Sequence, residues 1–207
     1  MANGQWLKAK KTMYTFDHDL FLWLNFDGGP VMDTIMKTVS GITMWIPLYL
    51  LIIYLVWRKL GWQRATAFVA CMVLAIGLSD IVSGIFKHQG LLGDLWPSFP
   101  ARFRPMHTEA LQGLIHTPSG GHGHYGTVSG HAATIVSLAW ISALAIGQNW
   151  FKWLIAVVVV LICYSRIYLA CHFPVDILLG AICGTVSGLL VFFLWKKLDK
   201  VIAKQRK

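Results

Sequence analysis

The residues most able to do chemistry fall in three groups: Lys87 with Arg104-Pro105, Val128-Ser129-Gly130-His131, and Ser165-Arg166 followed by His172 and Asp176. A serine and glycine opening a helix leave free backbone amides at its N-terminus, and lysine and arginine add charged donors. Together these groups can hold a phosphate dianion where water would otherwise be needed. His172 and Asp176 are four apart, so one helical turn can bring the carboxylate to the imidazole, fix its tautomer and support positive charge. A histidine so oriented can attack phosphorus. Arg166 and His172 are six apart, which on one straight helix puts them about 240° apart around the axis. Phe173-Pro174 resolves this, because the residue before proline disfavours the α conformation and proline favours a helix's first turn. One helix should end and the next begin there, with both side chains facing one pocket.

The elements that carry these groups are read from hydropathy. The chain has 207 residues, 56% hydrophobic and 13% charged, which is too apolar for an ordinary soluble domain. Five segments, roughly 40 to 57, 65 to 86, 130 to 147, 152 to 171 and 174 to 195, reach the 20 or so helical residues needed to cross a core of about 30 Å. The expected fold is an all-α integral membrane bundle of five or six transmembrane helices. Residues 14 to 39 place Asp17, Asp19, Asp27 and Asp33 among large apolar side chains, the pattern of amphipathic helices lying at the interface. A sixth span there is the alternative. No cleavable signal peptide is expected, because Lys8, Lys10 and Lys11 are followed by Asp17, Asp19 and only a short apolar run.

Arg58, Lys59 and Arg64 mark the first connection as cytoplasmic, Lys152 marks the third, and Lys196, Lys197, Lys200, Lys204, Arg206 and Lys207 mark the C-terminus. The long Gly-, Pro- and His-rich loop 87 to 129 and the turn near 172 to 174 then share the opposite face, and a loop of that length is expected to serve a site. Only Lys8, Lys10 and Lys11 run against this count. The net charge of +9 is concentrated beside an apolar run, which fits anionic lipid headgroups and not nucleic acid.

In order and placement the three groups resemble the motifs of the type 2 phosphatidic acid phosphatase family: Lys-x6-Arg-Pro, Pro-Ser-Gly-His and Ser-Arg-x5-His-x3-Asp. The third matches in full as SRIYLACHFPVD, the second at three of its four positions, the first in residue types. Sixteen residues separate Lys87 from Arg104, so an insertion at or near LLGDLWPSFP must loop out, and Arg102 competes with Arg104. Val128 stands where the family has proline, and Pro118-Ser119-Gly120-Gly121-His122 lies upstream as a decoy. Ser129 is preferred over Ser119 because only VSGH leads directly into an apolar helix.

The resemblance covers about residues 80 to 195 of one domain, 1–207, and implies a membrane lipid phosphatase. It makes His172 the nucleophile of a phosphohistidine, Asp176 its orienter and His131 the general acid. Lys87, Arg104, Ser129, Gly130 and Arg166 would bind substrate, with no metal and no cofactor. Undecaprenyl diphosphate, lipid A phosphate, phosphatidylglycerophosphate and phosphatidic acid all qualify, at a site on the extracytoplasmic face of a bacterial inner membrane. A phosphotransferase of the same family is the alternative enzyme, and a transporter or scaffold the alternative without catalysis. His107, His116, His122 and His124 invite a metal reading, which their glycine-rich setting weakens. Cys71, Cys163, Cys171 and Cys183 lie in or beside apolar runs, where packing is their default role. The oligomeric state is open.

Overall fold

A computed structural model describes residues 15–87, 91–96, 102–120 and 123–204. The helices are α1 (residues 15–24), α2 (Gly29–Ser40), α3 (Ile46–Leu60, entered by a 3-10 turn at Thr43–Trp45), α4 (Trp62–Ile85), α5 (Leu91–Leu95), α6 (Gly130–Ile146), α7 (Asn149–Tyr168) and α8 (Pro174–Lys204). Part of the expected insertion, Leu91–Leu95, is thus one helical turn, and residues 97–101 fall outside the described chain. Thr43–Leu60, α4, α7 and α8 are long and apolar enough to cross a membrane, and α6 is a shorter apolar helix. With 17 residues, α6 is about 26 Å long at 1.5 Å per residue.

The five long helices alternate in direction. Ser40, Gly41, Ile42, Gly130, Arg166 and His172 meet at one end, while Lys59 from the end of α3 reaches the C-terminal carbonyls of α6 at the other. α6 and α8 form the central pair. A Cβ on Gly184 would collide with the backbone oxygen of Ala133, and one on Gly188 would lie 2.7 Å from that of Ser137. Small residues at these positions let the two backbones touch, which is how helices gain contact where lipid offers no hydrophobic drive. Leu178, Ile182, Val186 and Leu190 of α8 remain exposed, as a lipid-facing surface requires.

Among the described residues there is no sixth spanning helix. α1 and α2 are too short for one, since 12 residues cover only about 18 Å, and both pack across the cavity end of the bundle. Asp17 of α1 accepts from the amide of Val175 at 3.0 Å and pairs with Arg102. Asn25 donates to the carbonyls of Ile167 and Tyr168, ending α7, at 3.2 and 2.8 Å. The expected N-terminal helices are therefore present, packed against the bundle through buried Phe21, Met36 and Val39. Lys8, Lys10 and Lys11 lie outside the described residues.

Candidate active site

Three local devices bring the site together. The first is the start of α6. Ser129 is its N-cap, in an extended conformation, and its hydroxyl accepts from Ala132 N at 3.4 Å. The Ser129 amide donates to the carbonyl of Asp176 at 3.0 Å, which pins α6 to the start of α8. Gly130 and His131 follow on the cavity wall, in the first turn where backbone amides have no intrahelical acceptor. The upstream decoy starts no helix: Pro118, Ser119 and Gly120 are irregular, and Gly121 and His122 lie outside the described residues.

The second device is the long loop, which is tied at both ends. Phe103 and Tyr125 form an antiparallel bridge, the amide of Arg104 donates to His124 O and that of Gly126 to Arg102 O, each at 2.9 Å. This pairing gives adjacent arginines opposite fates. Arg104 faces the cavity and donates to the carbonyls of Tyr125 and Cys171 at 3.2 and 3.4 Å. Arg102 turns away to Asp17 and Asp176 and stacks over the Phe173 ring. Of the two competitors, Arg104 is the one at the cavity.

The third device is the α7–α8 junction. α7 ends at Tyr168, Ala170 adopts a left-handed φ of 53°, and the amides of Cys171 and His172 both donate to Arg166 O, at 2.9 and 3.2 Å. Pro174 then opens α8. The break expected at Phe173-Pro174 is observed, and Arg166 and His172 line one cavity. Arg166 is only 4% exposed. One of its terminal nitrogens donates to Ser40 Oγ, while its buried Nε has no hydrogen-bond partner among the described residues.

Lys87, Arg104, Gly130, His131, Arg166 and His172 thus surround a cavity of about 480 Å³. Ser129 and Asp176 do not line it. Ser129 supports the wall as the cap, and Asp176 departs from its expected part. Asp176 Oδ2 accepts from Phe173 N at 2.9 Å and Oδ1 from Arg102 at 3.3 Å, leaving Oδ2 3.7 Å from His172 Nδ1, beyond a hydrogen bond. The Gly126 carbonyl takes that nitrogen at 3.0 Å. A backbone oxygen, and not the carboxylate, holds Nδ1 as the N–H tautomer, so Nε2 keeps its lone pair.

Gly126 has to be glycine for this: a Cβ there would sit 2.8 Å from Arg104 Cγ and 3.2 Å from His172 Nδ1. His172 is 2% exposed. Burial, reinforced by the Arg104 and Arg166 charges, holds its pKa well below the usual 6.5, so the imidazole is neutral at physiological pH. Arg104 is itself pushed down by burial and remains a cation. What sequence reasoning missed, Gly126, Ser40 and the pairing of Arg102 with Asp17 and Asp176, acts through contacts distant in sequence.

Among the described residues the histidine-rich loop brings no three possible metal ligands together. His116 Nε2 lies 2.7 Å from Asp33, the His107 and His124 rings form a tilted pair 4.6 Å apart, and His122 lies outside the described residues.

The match to the PAP2 superfamily model spans residues 68–200, which holds all three groups. The chain belongs to the PAP2 superfamily. It is 30% identical over 183 residues to the lipid A 4'-phosphatase of Bacteroides thetaiotaomicron, covering 88% of this chain and 78% of that one. The crystal structure of Aquifex aeolicus LpxE superposes with a TM-score of 0.58 at 23% identity, over 84% of this chain and 92% of that one. The transmembrane PAP2-type phosphatidylglycerolphosphate phosphatase of Bacillus subtilis gives 0.60 at 20% identity, over 92% and 88%. The PAP2 protein described here is accordingly an all-helical integral membrane protein and a lipid phosphate phosphatase.

Proposed function

We propose that this PAP2 enzyme, acting as one domain over residues 1–207, removes phosphate from a phosphorylated membrane lipid through a phosphohistidine on His172. The observation that carries the reading is the meeting of Lys87, Arg104, Arg166 and the α6 N-terminus around the neutral, backbone-oriented imidazole of His172. Lys87, Arg104, Arg166 and the amides at Gly130 and His131 hold the phosphate oxygens. Nε2 of His172 attacks phosphorus, the P–N bond forming as the P–O bond to the lipid breaks, and His131 gives its proton to the departing oxygen. Water then attacks the phosphohistidine, His131 takes a proton back, and phosphate leaves as His172 is restored. The charge at phosphorus is met by side chains and amides, where preorganised donors contribute most, so the scheme uses neither metal nor cofactor.

The reading places the cavity on the extracytoplasmic face of a bacterial inner membrane. Arg58, Lys59, Arg64, Lys152 and the basic residues ending α8 lie at the end remote from it, and basic residues favour the cytoplasm. Between the cationic rim and the bundle interior the cavity becomes apolar, with Ile42, Ile76, Ile135, Leu138 and Ile162, as a lipid ligand needs. Purified enzyme incubated with lipid A, undecaprenyl diphosphate, phosphatidylglycerophosphate and phosphatidic acid tests the proposal by phosphate release. Release from none of them, or transfer of the phosphoryl group to a second lipid in place of water, would overturn it.

A further inference from the structure

Asp17 and His18 of α1 reach the turn that carries His172, although neither lines the cavity. Asp17 is 2% exposed. Its Oδ1 accepts from the amide of Val175 at 3.0 Å, and its Oδ2 is ion-paired with Arg102 Nη2. His18 stacks on Phe173 with ring centroids 4.7 Å apart and 5° between the planes, and Arg102 Cζ lies 3.8 Å from the centroid of the same ring. A buried carboxylate is costly unless it is paired, so Asp17 has to be explained by what it holds.

What it holds is Arg102, which stands between the two groups that set His172. Along the backbone, Arg102 O accepts from Gly126 N at 2.9 Å and Arg102 N donates to Thr127 Oγ1 at 3.2 Å, and Gly126 O is the acceptor for His172 Nδ1. Through the side chain, Arg102 Nη1 donates to Asp176 Oδ1 at 3.3 Å, while Asp176 Oδ2 takes the amide of Phe173, the residue after His172. One guanidinium is thus shared by two buried carboxylates. A guanidinium facing a lone carboxylate settles into a bidentate fork. Asp17 prevents that by taking Nη2, and so leaves Asp176 Oδ2 to the Phe173 amide.

We infer that Asp17, acting through Arg102, is a positioning residue for His172, so that α1 belongs to the catalytic machinery. The inference rests on the phosphatase reading with His172 as nucleophile. Asp17 and Arg102 do not touch the phosphate; they set the angle at which Nε2 meets phosphorus. Without the charge of Asp17, Arg102 closes on Asp176 as a fork, draws Oδ2 away from the Phe173 amide and tilts the turn that carries His172.

The test compares kcat and KM for phosphate release from a lipid that wild type turns over, in Asp17→Asn, Arg102→Gln and the double variant, with a thermal melt of each. Asp17→Asn keeps the acceptor for Val175 and removes only the charge, and it carries the test alone if Arg102→Gln, which leaves two buried carboxylates uncompensated, fails to fold. In each single variant kcat should fall about tenfold or more, as misplacement of a reacting group costs, with KM within about twofold of wild type. The double variant should lose no more than Arg102→Gln alone, since the two residues act as one unit. Asn25→Ala, which frees the chain after α1 from the end of α7 without touching Arg102, should lower the melting temperature and leave kcat within about twofold. Unchanged kcat in Asp17→Asn, losses that multiply in the double variant, a rise in KM in place of the fall in kcat, or an equal fall in Asn25→Ala would each overturn the inference and leave the phosphatase standing. Wild type that releases phosphate from none of the four lipids sinks the phosphatase reading itself.

Discussion

At the end of the bundle remote from the cavity, Lys59 donates to the carbonyls of Ala145 and Ile146 at 2.9 and 2.7 Å, and Arg64 grips both oxygens of Asp199. At the cavity end, Arg104 donates to the carbonyls of Tyr125 and Cys171 at 3.2 and 3.4 Å and Arg166 keeps a buried Nε without a partner among the described residues. Both ends are basic, but Lys59 and Arg64 at one are met by helix-end carbonyls and a carboxylate, while Arg166 at the other keeps a buried donor unfilled among the described residues. Counting charges cannot separate an anchor from a phosphate site. Burial combined with unfilled donors can.

The strongest way to break the comparison is at His172. His172→Ala should lower phosphate release by at least about a thousandfold while the protein still elutes as a folded species. Next come the arginines: Arg104→Ala and Arg166→Ala should each cost about a hundredfold or more in kcat/KM, whereas Arg64→Ala at the remote end should change it less than about twofold. Equal losses from Arg64→Ala and Arg104→Ala would erase the distinction between the ends.

Asp176→Asn should cost less than His172→Ala, about tenfold, because Gly126 O orients the imidazole and Asp176 works through the Phe173 amide and Arg102. A loss as deep as that of His172→Ala would restore the carboxylate as the direct orienter. The pH profile sharpens the picture further. The folded pKa of His172 lies below 6.5, so protonation, which removes the nucleophile, is postponed to lower pH. The acid limb of kcat/KM that belongs to His172 should therefore fall below pH 6.5, and the stability this group contributes as a neutral imidazole is intact above 6.5 and declines as pH falls below it. The smallest effect is expected from Lys59→Met, which removes two bonds from the α6 C-terminus and should cost about 1 kcal/mol in a thermal melt.

The parts of the fold readable in the sequence were those governed by local rules. Apolar length marked the five long helices, Phe173-Pro174 marked the α7–α8 break, and the apolar run after Ser129 marked the start of α6. What escaped depends on pairings between distant segments. No spacing rule says that Phe103 will bridge Tyr125 and so turn Arg104 inward and Arg102 outward. The His172-Asp176 interval was compatible with a direct hydrogen bond, but Asp176 is engaged by Phe173 N and Arg102, and its competitor at Nδ1 is a glycine carbonyl 46 residues upstream.

The clamp between Asn25 and the end of α7 bears on how the enzyme is made. Asn25 waits for an acceptor 143 residues later in the chain, and Ser40 for Arg166, 126 residues on. At about 5–20 residues per second, translation takes roughly ten seconds to deliver those partners. Throughout that interval the newborn chain holds α1 and α2 without their docking surface, and the cavity has no roof. Every nascent form shorter than α7 lacks both Arg166 and His172, so catalytic competence arrives as a single late event of synthesis, when the last two helices enter the bilayer.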